Sequence, residues 1–278
     1  DTWTLGISIN PSWAQNLRLA IDYWNINIDD KITEYQNSEI LKQCYDSSQP
    51  WGDTNPFCNE ISRHEDDGQI YQILNRQYNL DSGNTEGIDI AMNYLWDFES
   101  KGDLVFNLDW THMLQDSETY LGLDGKVKID YTGQVAYKNF DDRARASLIW
   151  TYDSWRLRWT TKYSSSAIDA KDRMDDWEGY MEDNDERCAA GDDDCITNPE
   201  KLDYYKFPSY MTHDLTASYT MQPDWSRFVR LYAGVRNIFN DKGPFIPTSG
   251  DTYASGPGNF DSPYGGGVGR YIFAGVEV

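Results

Sequence analysis

No apolar run in this 278-residue chain is long enough to cross a membrane as a helix. A spanning helix needs roughly 18–20 apolar residues in succession. The longest stretch here, Tyr271 to Val276 with Gly275 set aside, is far shorter. Basic residues are also scarce, 24 Lys+Arg against 46 Asp+Glu for a net charge of −22. A chain with that balance has nothing with which to neutralise a phosphate backbone, which excludes a nucleic-acid partner. Only three histidines (His64, His112 and His213) and four cysteines are present, without CxxC spacing, which argues against a zinc centre. The cysteines fall as two close pairs, Cys44 with Cys58 and Cys188 with Cys195, and read as two local disulfides of an oxidising compartment. There is no GxSxG, no HExxH and no glycine-rich loop opening a helix, so no catalytic motif supports an enzyme. The first residues, DTWTLGISIN, lack the basic and apolar regions of a signal peptide and read as a mature start or an internal one.

Aromatics are abundant: 11 Trp, 20 Tyr and 10 Phe. That is too much apolar surface for a disordered acidic chain. The hydropathy pattern has period 2 almost throughout. Trp3, Leu5, Ile7 and Ile9 alternate with polar residues, as do Leu17, Leu19, Ile21 and Tyr23. The same holds from Ile88 to Trp96, Leu104 to Trp110, Ala144 to Tyr152 and Trp155 to Tyr163. It holds again from Met211 to Tyr219, Val229 to Val235 and Ile272 to Val278. Nine strands of about ten residues follow, with no helical stripe of comparable quality.

The connections alternate in length. Short turns are expected at 11–16, 98–103, 153–154 and 223–226, and long polar segments at 33–83, 114–142, 165–208 and 241–267. A transmembrane β-barrel has short turns at one end and long loops at the other, whereas a soluble sandwich has no reason to alternate this way. Aromatics at strand ends match an interfacial girdle, and the opposing faces carry charges suited to a wet lumen, among them Arg156, Arg158, Arg230 and Arg236. The fold class is therefore all-β, an antiparallel transmembrane β-barrel, with a soluble β-sandwich as the alternative. Nine strands is an odd number with two open edges, so residues 1–278 read as the C-terminal part of one barrel domain.

Specific segments resemble the TonB-dependent outer-membrane receptors. DTWTLGISINPSWAQNLRLAIDYWNINIDDKI resembles that family's strand–turn–strand unit, and CYDSSQPWGDTNPFCNEISR its long cysteine-bearing loop. PSYMTHDLTASY with VRLYAGVRNIFNDKGP resembles the penultimate hairpin with its NxFxxxxP ending, and GRYIFAGVEV the terminal strand. The resemblance implies a 22-stranded barrel of which this chain supplies the last nine strands, with an N-terminal plug and a TonB box belonging to the rest. It also implies partners: outer-membrane lipid of a Gram-negative bacterium, the remainder of the barrel and its plug, the TonB complex, and a small-molecule substrate. A passive porin-like or surface-binding barrel is the alternative, and an outer-membrane hydrolase a more distant one.

Candidate site residues lie in the loops. Trp51, Trp177, Tyr180, Tyr253, Phe260 and Tyr264 are rings in polar segments that could stack on a sugar or a flat chelate, or pack the loops together. The segment 169–203 holds 14 Asp+Glu and 4 Lys+Arg, contributing −10 of the −22. Its Asp183, Asp185, Asp192, Asp193 and Asp194 offer carboxylate oxygens to a calcium ion, although the EF-hand order is absent; a solvated acidic loop pinned by Cys188 and Cys195 is the alternative. No other cofactor is expected. Lumen arginines either contact an anionic substrate or the plug, or pair with neighbouring carboxylates.

Overall fold

The computed structural model describes residues 1–35, 37–46, 55–122, 125–197, 206–224, 226–244 and 269–278. Its elements in chain order begin with β1 (Thr2–Ile9), β2 (Leu17–Glu34), α1 (Asn37–Tyr45), β3 (Ile61–Arg63) and β4 (Ile70–Ile73). They continue with β5 (Gln77–Asp97), β6 (Asp103–Gly122), β7 (Gly125–Asp130), β8 (Asp142–Tyr152), β9 (Trp155–Ser164) and β10 (Ala167–Ile168). The last are α2 (Lys171–Ala190), β11 (Lys206–Phe207), β12 (Tyr210–Met221), β13 (Val229–Arg236) and β14 (Tyr271–Glu277). One ten-stranded sheet runs in the order β1-β2-β5-β6-β8-β9-β12-β13-β14, with β7 paired to β6. Among the described residues β1 and β14 are its open edges.

Every period-2 run of the sequence lies in one of the nine strands of that path, apart from Val278 just past β14, and the four expected tight turns join β1–β2, β5–β6, β8–β9 and β12–β13. Two expectations are corrected. Strands β2, β5 and β6 reach 18, 21 and 20 residues, so parts of the long polar segments are strand. The alternation stops at residues such as Asn84, Thr85 and Glu86 because both faces of the extension are polar there. Two α-helices are also present among the described residues, and α2 covers 20 residues of the acidic segment read as loop. It has no apolar stripe for periodicity to detect, and half of its residues, the Lys, Arg, Met, Glu and Ala, are good helix formers. Its first amide, Lys171 N, donates to Gln134 Oε1 at 2.9 Å, and it stops at Gly191 with φ 71°. That left-handed position suits glycine.

The register sorts the side chains into two faces. Phe106, Leu148, Trp159, Leu215, Val235 and Ile272 form one row across six strands. Leu104, Trp150, Leu157, Ala217, Ala233 and Ala274 form the next. Among the described residues no protein layer covers these rows: Ile272 is 71% exposed, Leu157 41% and Leu148 40%. A soluble sandwich would bury this face against a second sheet, so that alternative fails.

Buried apolar side chains cluster instead in the long connections. The described residues divide into two compact units, the first comprising Asp1–Thr4, Trp24–Glu86 and Gln115–Tyr131. Within it Tyr35, Ile40, Cys44 and Phe57 form a core against which Ile61, Ile73, Val127 and Ile129 pack. The second unit comprises Leu5–Tyr23, Gly87–Leu114 and Thr132–Val278, and Val135, Phe140, Ala167, Phe207 and Tyr210 form its core. Also in the second unit, the NIFND segment after β13 is a turn held by its own side chains. Asn237 Nδ2 donates to Asp241 O at 2.6 Å, Asp241 N to Asn237 Oδ1 at 3.0 Å, and Asn237 N to Asp214 Oδ1 at 2.9 Å. Phe239 lies against His213, ring centroids 5.3 Å apart.

The β5–β6 turn depends on one glycine. Gly102 has φ 87°, and a Cβ there would collide with the backbone oxygen of Thr151. Gly102→Ala therefore carries both backbone strain and a clash, and is expected to cost about 1–3 kcal/mol. Urea unfolding of the refolded protein in lipid vesicles checks this; an unchanged midpoint contradicts the assignment of the turn.

Candidate functional site

In the second unit the polar face of the sheet forms a built surface. Successive strands bring Asp109, Arg145, Lys162 and Thr212 into one row, and Asn107, Ser147, Thr160 and Asp214 into the next. Hydrogen bonds cross the strands: Asn93 Nδ2 donates to Asn107 Oδ1 at 2.8 Å, and Asn107 Nδ2 to Ser147 Oγ at 3.4 Å. Thr111 Oγ1 donates to Asp89 Oδ1 at 2.6 Å. Ser147 and Thr160 are buried at its floor. A cavity of about 500 Å³ opens on this face, lined by Arg18, Arg145, Arg158, Asp109, Asn93 and Ser147 among others.

All four arginines expected on the lumen face have polar-face positions, but their surroundings differ. Arg230 pairs with Glu277 at 2.6 Å and lies over the Tyr232 ring, 5.8 Å from its centroid. Arg236 lies over Phe273 at 5.6 Å. These rings lie over glycines of the neighbouring strand: a Cβ on Gly234 would meet Phe273, and one on Gly275 would meet Tyr232. Arg156 and Arg158, opposite Thr151 and Ile149, have no carboxylate in ion-pairing reach among the described residues. Lys162 does, pairing with Asp214 at 3.2 Å. Arg18 and Arg145 were missing from the sequence-derived set. Parity signals them, since Arg18 alternates with Leu17 and Leu19, and Arg145 with Ala144 and Ala146.

The first unit carries a small stapled domain. The Cys44–Cys58 disulfide ties α1 to the turn before β3, and Asn55, fully buried, donates through Nδ2 to Gln43 O at 3.1 Å while accepting from Phe57 N at 3.0 Å. On its surface Arg63 hydrogen-bonds Tyr45 Oη and the Gly68 carbonyl, with its guanidinium 5.8 Å from the Tyr45 ring centroid. Tyr71, 59% exposed, packs against His64 at 4.8 Å. Nothing in the period-2 pattern marks either pair.

Of the loop aromatics, Trp51, Tyr253, Phe260 and Tyr264 lie outside the described residues. Trp177 falls in α2, its side chain outside what is described, and Tyr180 is an exposed ring on the same helix. Asp183 and Asp185 are also in α2; two residues apart, they do not face each other. Asp192, Asp193 and Asp194 occupy the turn after the helix, where Asp192 Oδ1 accepts from Asp194 N at 3.1 Å. Among the described residues no three His, Cys, Asp or Glu side chains converge as metal ligands. The Cys188–Cys195 disulfide ties the last turn of α2 to the turn that follows it. Asn184, buried, completes it by donating to Ile196 O at 3.1 Å and accepting from Ile196 N at 2.9 Å.

An exposed apolar face backing a hydrogen-bonded polar face defines the wall of a membrane β-barrel. Residues 1–238 match the family model "TonB dependent receptor-like, beta-barrel", and the chain belongs to this family. Family members are transporters of the Gram-negative outer membrane rather than enzymes. No curated protein matches the chain by sequence. Among solved structures it is similar to a mutant of the ferric enterobactin receptor from Pseudomonas aeruginosa (14% identity, TM-score 0.53). It is equally similar to the FrpB iron transporter from Neisseria meningitidis (15% identity, TM-score 0.53). Each alignment covers 99% of this chain and 30% of the other, so the chain spans about a third of the length of these structures.

Replacing Asn184 with Ala leaves the Ile196 N–H and C=O without their partner. Amide exchange across 191–197 is expected to rise roughly tenfold, about 1–2 kcal/mol of local stability, with the disulfide still closed. Exchange mass spectrometry reads it directly; unchanged protection removes the role assigned to Asn184.

Proposed function

We propose that this chain is the C-terminal barrel section of an active outer-membrane uptake receptor of a Gram-negative bacterium. The observation that carries this reading is the uncovered apolar face of the sheet, which is stable only against lipid, behind a polar face suited to a solvated lumen. Extracellular loops capture a nutrient, and a plug elsewhere in the polypeptide moves when the TonB complex pulls on it. Transport is then differential binding in two plug states, with no covalent chemistry.

The nutrient we propose is a metal chelate, with a carbohydrate as the second reading. The names of the two structural relatives, a ferric enterobactin receptor and an iron transporter, favour the chelate. So does the exposed Tyr45–Arg63 pair, which suits a flat, anionic, ring-bearing ligand. The many rings of the chain keep a sugar in view. Calcium in the acidic segment remains part of the proposal only as a stabiliser of the 169–203 region.

Deleting the full-length gene is expected to lower uptake of one iron chelate by an order of magnitude or more, with restoration by the gene in cells that have TonB and not in cells that lack it. Radiolabelled iron uptake, run beside growth on defined oligosaccharides, measures both readings. Uptake that persists without TonB points to a passive barrel and contradicts the proposal.

A further inference from the structure

The NIFND turn after β13 holds a large apolar ring in the open: among the described residues Phe239 is 67% exposed. The turn beneath the ring is fixed. Asn237 and Asn240 take left-handed backbone angles, φ 50° and 56°, where asparagine is among the better tolerated residues. The N–H groups of Asn237 and Ile238 donate to Asp214 Oδ1 at 2.9 Å and His213 O at 2.8 Å. Those of Asn240 and Asp241 donate to Asn237 O at 2.9 Å and Asn237 Oδ1 at 3.0 Å. The Asp241 carbonyl accepts from Tyr210 Oη at 3.0 Å, and Asn240 Oδ1 accepts from Arg270 N at 2.8 Å, which ties the turn to the start of β14.

The ring lies on the apolar face of the sheet. Its centroid is 5.3 Å from that of His213 and 6.3 Å from that of Trp159, and those two are 5.3 Å apart. Trp159 belongs to the row of Leu148 and Leu215, and His213 follows Leu215 on the same face of β12. Polar atoms in the cluster are bonded within it. Trp159 Nε1 donates to Thr161 Oγ1 at 3.1 Å, and Thr161 Oγ1 lies 2.9 Å from His213 Nδ1.

We propose that the NIFND turn is a lipid anchor, with Phe239 inserted into hydrocarbon near the outer edge of the membrane. The ring continues the uncovered apolar rows, which the uptake reading sets against lipid and on which this inference rests. Its level agrees. At the tight-turn end of the same face, Tyr152, Trp155 and Tyr219 form one row of rings. From Tyr219 to His213 the strand rises about 3.4 Å per residue at a tilt of about 40°, which puts His213 roughly 16 Å above that row, within an apolar band of about 25 Å. From there the turn runs outward toward the edge. Backbone that leaves a sheet so close to hydrocarbon needs partners for its polar groups, and the side chains of Asn237, Asn240 and Asp214 supply them.

The test is a nitroxide label on Phe239→Cys, Leu215→Cys or Lys242→Cys in the full-length receptor in lipid vesicles. Collisions with oxygen, which concentrates in lipid, are compared with collisions with a water-soluble nickel chelate. The oxygen-to-nickel ratio at position 239 is expected to exceed that at 242 several-fold and to approach that at 215. A label at 239 that meets nickel as freely as one at 242 overturns the proposal, and so does one shielded from both quenchers, because protein then covers the site. The natural ring gives a second readout: Phe239→Asn is expected to lower the urea midpoint in vesicles well beyond Phe239→Leu, since only the first sets a polar group in hydrocarbon. Equal losses from the two also overturn it, leaving the ring a contact for His213 and Trp159 alone. A label at 215 that meets nickel contradicts the barrel wall itself, so failure of the anchor and failure of the uptake reading are told apart.

Discussion

Everything in this molecule depends on a sheet whose apolar face has no protein against it among the described residues. Rows such as Phe106, Leu148, Trp159, Leu215, Val235 and Ile272 are assembled by backbone pairing alone. In water that face would drive aggregation. Against hydrocarbon it is stable, provided that every strand backbone finds a partner. The low content of long apolar runs follows from this arrangement, since only alternate residues meet the apolar side.

The same alternation supplies the functional surface without further design. The residues between the apolar ones face the other side, where Asn93, Asn107 and Ser147 bond across strands and several arginines stand. The loops solve a different problem. They lack a shared core, so each folds around a small local one: Tyr35, Ile40 and Phe57 with a disulfide in one unit, Val135, Phe140 and Phe207 in the other. A disulfide contributes most where the core is small.

What the sequence made legible follows the same division. Nine strands and four tight turns could be read because two different surroundings impose a period of two. The polar-face positions of Arg156, Arg158, Arg230 and Arg236 could be read by parity alone. Helix α2 could not, because its surface is charged nearly all round and leaves no stripe; only Gly191 at its end marks it. The Arg18–Arg145–Arg158 cavity was hidden for another reason. Parity tells which face a residue occupies, whereas the grouping depends on strand order, and β6 pairs with β8 while β7 only extends it.

The central claim is that the two faces of this sheet meet different media. Single cysteines at Leu157, Leu215 and Ile272 on one face, and at Arg158, Thr216 and Phe273 on the other, carry a fluorophore in the full-length protein reconstituted with brominated lipids. The account predicts strong quenching at the first three and little at the second three, alternating residue by residue. Equal quenching on both faces, or none on either, contradicts it.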